Sequence, residues 1–306
     1  MTSKFPKLSS KAILSPMAGV TDVGFRMLAK KYGAGLTYTE FVSSAGILRG
    51  NDNTLKMIET DLEEKPVGVQ LFGNNLNEIV GAARIIEDNF DVIDVNCGCP
   101  AWKVIKTGAG SAMLNDKEKI GKFINKLASA VNKPVTLKIR TGINDKKINA
   151  VEIAKEAENS GAAAIAIHGR TQQQGYSGKA DWEIISKVKE AVDIPVIGNG
   201  DVFSPETFKQ RLEESNVDYI MIARAAIGNP FIFTQINEYI KKGKYEKKDP
   251  IEQFKEYLIL AKKYNLNFNQ IKTHAISFTK GIEKGSMIRD FLSKCKTLED
   301  IKKALY

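Results

Sequence analysis

The chain has 306 residues, 43% of them hydrophobic, and 45 Lys plus Arg against 36 Asp plus Glu give a formal net charge of +9. That apolar content excludes a disordered polyelectrolyte, and three cysteines are too few for a disulfide scaffold, with Cys97 and Cys99 too close together for an ordinary bridge. No apolar stretch reaches the ~20 residues that span a bilayer, and residues 1–10 contain no signal-peptide core, so a reduced, cytoplasmic protein is expected. The charge is uneven: residues 241–306 hold 16 Lys/Arg and 8 Asp/Glu, whereas residues 1–240 are close to neutral. A neutral body with a basic tail calls for an acidic partner, such as nucleic acid or a membrane surface.

In chain order, residues 12–17 read as a first strand and 22–32 as an amphipathic helix. Strands follow at 35–39 and 67–72, a helix at 75–88, a strand at 92–95, a helix at 116–131 and a strand at 135–139. A helix is predicted at 147–160, a strand at 163–167, a helix at 181–191, a strand at 195–197, a helix at 204–214 and a strand at 219–222. The strands are short, rich in Val and Ile, and apolar at nearly every position, as strands buried on both faces are. Ser204 followed by Pro205 is the cleanest helix start, and Gly33 and Gly161 stand where C-terminal caps belong. Eight strands alternating with helices over about 230 residues match a (β/α)8 TIM barrel. The competing doubly wound sheet needs a Gly-rich dinucleotide turn after its first strand, and Ser15-Pro16-Met17-Ala18-Gly19 is no such turn. Residues 230–241 read as the last barrel helix and 241–250 as a polar linker. Helices at 251–264, 269–280, 286–294 and 297–305 complete a small C-terminal bundle. The expected organisation is therefore a barrel over residues 1–242 and a helical domain over 243–306.

Chemistry in a barrel belongs at the C-terminal ends of the strands, and the polar interruptions of the apolar runs fall there. Gly198-Asn199-Gly200-Asp201, just ahead of the helix at Ser204, and Arg224 after the eighth strand form a candidate phosphate site, because glycines admit close backbone approach and a helix start favours anions. Lys138 and Arg140 share one face of strand five with Thr136; a lysine inside an apolar shell is costly unless a partner or ligand meets it. Gln70 supports the same reading more weakly. His168, at the rim of strand six, is a candidate ligand contact. Cys97-Gly98-Cys99 has no second Cys/His pair at zinc spacing, so no metal is expected. In Asn96-Cys97-Gly98-Cys99-Pro100, Gly and Pro force a sharp turn that displays Cys99 to the pocket; its thiol, protonated at neutral pH, could serve as a general acid. Cys97 and Cys295 read as small buried hydrophobes. Residues 108–113 mimic a dinucleotide loop but follow no strand and end on Met113, so a nucleotide role is rejected.

Taken in order, Ser15-Pro16-Met17-Ala18-Gly19, Gln70-Leu71-Phe72-Gly73, Asn96-Cys97-Gly98-Cys99-Pro100, Lys138-Ile139-Arg140, His168-Gly169-Arg170-Thr171, Gly198-Asn199-Gly200-Asp201 and Ala223-Arg224-Ala225-Ala226-Ile227-Gly228-Asn229-Pro230 resemble the flavin-dependent tRNA-dihydrouridine synthase family. The resemblance is close over about residues 10–235 and loose in the tail. It implies a barrel that holds FMN at its open face, NADPH or NADH as electron donor, and a helical tail that binds tRNA. It also implies that Pro16, Met17 and Ala18 line the flavin, Gln70 and Lys138 contact its ring, and His168 and Arg170 border it. Asn199, Gly200, Asp201, Ala223 and Arg224 would hold the phosphate. Cys99 would be the catalytic acid, with Asn96, Arg140 and Lys103 on the substrate side. The implied reaction adds a hydride to C6 of a uracil extruded from its stack and a proton from Cys99 to C5. The tail departs from the family pattern at Lys272-Thr273-His274 and at Phe278. Competing readings are a dihydroorotate dehydrogenase-like flavoenzyme acting on a free pyrimidine, a phosphate-binding barrel isomerase without flavin, and an RNA-binding protein without catalysis. The last leaves Gln70, Lys138 and Cys99 unexplained, and none of the three requires a tail of this charge together with a flavin site.

Overall fold

The computed structural model describes residues 3–305; residues 1, 2 and 306, the outer bounds of the expected two-part organisation, lie outside the described residues. Eight strands form one parallel sheet: β1 (Ala12–Leu14), β2 (Thr37–Ser43), β3 (Val67–Phe72), β4 (Val92–Cys97), β5 (Val135–Arg140), β6 (Ala164–His168), β7 (Val196–Asn199) and β8 (Tyr219–Ile222). Each pairs with its sequence neighbour from β2 to β8, and β1 pairs with β8 through Ala12↔Ile220 and Leu14↔Ile222. The bridge Ile13↔Leu36 joins β1 to the approach of β2 and closes the ring. The expected (β/α)8 barrel is thus the fold, and strands β3 and β8 have the bounds read from sequence.

Two apolar clusters follow from strand alternation. Residues of one parity, such as Leu14, Val69, Leu71, Ile93, Leu137 and Ile167, face outward into the main core beneath the helices. The other parity places Ile13, Tyr38, Val92, Ala164, Ala166, Ile197 and Met221 inside the barrel, with Phe5, Leu8 and Tyr219 packed against them. The helices over the barrel begin where capping residues stand: Asp22, Asn75, Asp116, Asp181 and Ser204 each accept a first-turn backbone N–H. Gly33 and Gly161 adopt φ +92° and +94°, the left-handed backbone that favours glycine at a helix end.

Departures from the sequence pattern lie in the connections. The helix expected from residue 147 begins at Ala150, because Lys147–Ile148 instead pairs antiparallel with Gly142–Asn144 and the backbone N–H groups of Asn149 and Ala150 both donate to the Thr141 carbonyl. Short helices at Ser44–Leu48 and Asp52–Met57 fill the β2–β3 connection. They are too brief to show a 3.6-residue apolar period.

After the last barrel helix, Ile232–Lys242, come helices Pro250–Lys263, Phe268–Phe278, Gly285–Lys294 and Leu298–Leu305. The first packs on helix Val23–Lys31, and Phe254, Tyr257, Ile271, Phe278, Leu292 and Ile301 join the main core. The contact is polar at its centre. Asp22 Oδ2 lies 2.9 Å from His274 Nε2 and accepts from the Tyr257 hydroxyl at 3.2 Å, while its Oδ1 caps Phe25 N at 2.9 Å. The His274 ring stacks on Phe25 at 4.8 Å and is 1% exposed. The tail segment 272–274 therefore presents no exposed basic cluster: His274 is buried against the barrel, and Lys272 donates to the carbonyls of Ser293 and Cys295. Among the described residues no helix is long and apolar enough to cross a membrane.

Below the start of the same helix lies a fully buried ion pair. Arg26 Nε donates to Glu64 Oε1 at 2.6 Å, and Glu64 also accepts from Thr37 and Thr60 hydroxyls at 2.7 Å each. Removing one member strands the other charge in the core. Glu64→Ala is expected to lower the unfolding free energy by about 3–5 kcal/mol, read as a lower urea midpoint; an unchanged midpoint contradicts this account.

Candidate active site

The C-terminal ends of the strands surround a cavity of about 470 Å³. Its apolar wall comes from Pro16, Met17, Ala18, Phe41, Met221 and Ile227, and its polar wall from Gln70, Asn96, Lys138, Arg140, His168 and Asn199. Cys99, Gly200, Asp201, Ala223 and Arg224 also line it. Arg170 and Lys103 do not. Arg170 is 2% exposed and sits behind Asp201, while Lys103 is exposed on the turn that follows Cys99.

The first loop is tightly held: Val20 N and Thr21 N both donate to Met17 O at 3.1 Å, and Gly19 N donates to Glu40 Oε2 at 2.5 Å. At the end of β4 the Asn96 side chain accepts from Cys99 N at 2.9 Å and Gly98 N at 3.2 Å. Ser111 closes the other side by donating its backbone N–H and its hydroxyl to Cys99 O at 3.0 and 2.9 Å. The thiol thus stands on a clamped backbone. Burial pushes the Cys99 thiol up, against the pull of the Ala101 backbone N–H and of Arg140 and Lys138, so it holds its proton at neutral pH.

Beneath the polar wall runs a chain of side-chain hydrogen bonds. Thr136 Oγ1 and Gln70 Nε2 each donate to Asp94 at 2.6 Å, and Asn96 Nδ2 donates to Gln70 Oε1 at 2.7 Å. Asp94 accepts only, and the Cys99 and Gly98 backbone groups donate only, so the two ends impose the same orientation on both amides. Burial raises Asp94 to about 6, opposed by the bonds from Thr136 and Gln70 and by the charge of Lys138. Lys138 Nζ donates to Asn199 Oδ1 at 3.0 Å, and Asn199 Nδ2 donates to Met221 O at 3.0 Å. Burial and the Arg140 charge lower Lys138 to about 8. His168, lowered to about 2 by burial and by four nearby cations, is a neutral imidazole.

The corner at β7 and β8 is cationic. Asp201 accepts from Arg170 at 2.7 and 2.9 Å, from Arg224 at 2.8 Å and from Ala180 N at 2.8 Å, so its carboxylate is neutralised twice over. The Arg224 guanidinium lies 5.0 Å from the Tyr176 ring and 5.2 Å from that of Phe203. Gly200 adopts φ +132°, and a Cβ there would stand 2.6 Å from that of Ala180, so the chain passes here as bare backbone. Arg140, only 3% exposed, donates to the carbonyls of Gly98, Thr171 and Gly175 at 2.8–2.9 Å and ties the loops after β4 and β6 together. Donors along one wall, apolar surface on the other and net positive charge at one end suit a planar heteroaromatic ring carrying a phosphate.

Asp94, Tyr176, Phe203 and Glu40 were not singled out from the sequence. Asp94 had a readable signal: it shares the parity of Asn96 within an apolar strand, the same argument that selects Lys138. The two aromatic residues lie in loops with no such register.

The fold is a (β/α)8 barrel whose cavity brings a cationic corner and the Cys99 thiol together at the C-terminal ends of the strands. The dihydrouridine synthase (Dus) family model matches residues 13–306. The chain is 41% identical over 254 residues to tRNA-dihydrouridine synthase B of Pseudomonas aeruginosa, covering 82% of this chain and 76% of that protein. It is 42% identical over 248 residues to a probable tRNA-dihydrouridine synthase of Rickettsia bellii, covering 80% and 76%. Among solved structures, histamine dehydrogenase from Rhizobium superposes with a TM-score of 0.58 at 14% identity over 83% of this chain; the chain spans about half (49%) of that protein, and the likeness concerns the fold. The chain belongs to the dihydrouridine synthase family.

Alkylation of Cys99 by iodoacetamide, followed by peptide mass spectrometry, should have its pH midpoint above the ~8.5 of an ordinary thiol, because burial disfavours the thiolate. A midpoint below that value contradicts the proton-holding role.

Proposed function

We propose that the protein reduces uridine to 5,6-dihydrouridine in tRNA, with FMN as cofactor and NADPH or NADH as electron donor. The observation that carries this reading is the meeting of the Cys99 thiol, the Gln70–Lys138 donor wall and the Arg224 corner in one cavity of a dihydrouridine synthase family member. The names of the relatives, tRNA-dihydrouridine synthases, support the substrate. When bound, FMN would supply the two-electron redox chemistry that links oxidation of the nicotinamide to reduction of the uracil C5–C6 bond.

The chain's own residues do the rest. Gln70 and Lys138 hold the ring, Pro16, Met17 and Ala18 cover it, and His168 borders it as a neutral donor or acceptor. Arg224, oriented by Asp201 and its two rings, meets the phosphate together with the backbone at Asn199, Gly200 and Ala223. Arg170 acts from behind, by fixing Asp201. Asn96 orients the Cys99 backbone and faces the substrate, and Cys99 Sγ delivers its proton to C5. Arg140, which lines the cavity and ties the loops after β4 and β6 together, faces the substrate with Asn96, and Lys103 meets the RNA backbone outside the cavity. Residues 1–242 form the catalytic unit in this reading, and 243–306 the tRNA-binding unit, supported by exposed Lys262, Lys280, Lys284 and Lys296. A cytoplasmic location accords with such a substrate.

Cys99→Ala should purify as yellow, FMN-loaded protein and form dihydrouridine on unmodified tRNA at least a hundredfold more slowly than the parent, roughly the range lost with a general acid. Formation at the parent rate, measured by mass spectrometry of tRNA digests, rules out Cys99 as the acid.

A further inference from the structure

Trp102 is 74% exposed, although tryptophan is among the residues that gain most from burial. It directly follows Ala101, which lines the cavity, and is three residues from Cys99. It opens the short helix Trp102–Ile105, whose backbone is pinned by Val104 N and Ile105 N donating to Ala101 O at 2.9 and 3.0 Å, and by Lys106 N donating to Trp102 O at 3.0 Å. The base of that turn is the clamped Cys99 carbonyl described above. Trp102 has no ring partner among the described residues. Lys103 and Lys106, the latter one helical turn on, are both exposed.

An exposed aromatic ring on a rigid turn, flanked by two free-standing cations, is the chemistry that binds single-stranded nucleic acid: the ring covers a base and the cations meet phosphates. The proposed reaction creates the need. A uridine withdrawn from its stack leaves the face of a neighbouring base uncovered. We propose that Trp102 is a stacking subsite for a nucleotide adjacent to the target uridine, with Lys103 and Lys106 on the flanking phosphates. The proposal rests on the tRNA reading of the site. It assigns Trp102 to substrate affinity and leaves the chemical step to the cavity.

The test compares the parent, Trp102→Ala and Trp102→Phe in steady-state dihydrouridine formation on unmodified tRNA, with tryptophan fluorescence titrated by a short uridine-containing oligoribonucleotide. Because the only other tryptophan, Trp182, is 6% exposed, quenching reports on Trp102. The expected result is a KM for tRNA raised about tenfold in Trp102→Ala with kcat within a factor of two, most of the affinity restored in Trp102→Phe, and quenching of parent fluorescence by the oligoribonucleotide. An unchanged KM, or a fall in kcat without a change in KM, overturns the subsite, as does unquenched fluorescence at saturating oligoribonucleotide. If the parent forms no dihydrouridine, the functional reading fails, and the fluorescence titration still decides whether Trp102 binds RNA.

Discussion

A polar side chain placed inside a parallel barrel must find its partner inside the barrel, since leaving it unpaired costs about 1–3 kcal/mol. This requirement organises the site. Asp94, Gln70, Asn96 and Thr136 stand on three adjacent strands and satisfy one another through bonds of 2.6–2.7 Å. The last link of the chain, Asn96, is also the group that fixes the Cys99 backbone. Two residues beyond Thr136 on the same strand, Lys138 is held by Asn199, which in turn is held by β8. The Cys99 backbone and the polar wall are therefore two parts of the same burial problem, and neither can shift without breaking a bond below it.

The same principle governs how the tail meets the barrel. The Asp22 carboxylate caps a barrel helix with one oxygen and binds Tyr257 and His274 with the other. A helix start that would otherwise face water has become an interior contact, and the first tail helix packs against helix Val23–Lys31. Lys263 and Tyr264 add a second tie, to Asp61, at 3.0 and 2.6 Å. Basic charge counted along the chain thus becomes a surface fixed relative to the barrel.

The barrel was legible because both-face burial leaves strands that are apolar at nearly every position, and because capping residues such as Asp22, Asn75, Asp116 and Ser204 stand where the helices start. That Lys138 and Arg140 line the cavity was legible because parity along β5 exposes them as misfits in a core strand. Asp94 lies inside an otherwise apolar run, although parity marks it equally. Arg170 and Lys103 show the limit of motif reading: a motif fixes neighbours along the chain, whereas the packing of Ser177, Gly178 and Asp201 around Arg170 decides that it acts from behind the cavity. The burial of His274 is not legible for a related reason. Its burial depends on Phe25 and Asp22, some 250 residues away in sequence, and no local pattern reports that contact.

In the proposed function this cavity passes electrons from a bound flavin to a uridine in tRNA. Its most direct test is a single-turnover experiment: reduce the purified protein anaerobically with NADPH, mix it rapidly with unmodified tRNA, and follow the visible flavin absorbance. The account predicts prompt reoxidation on mixing with tRNA and none with orotate. Reoxidation by orotate but not by tRNA, or a protein with no flavin absorbance at all, would contradict it.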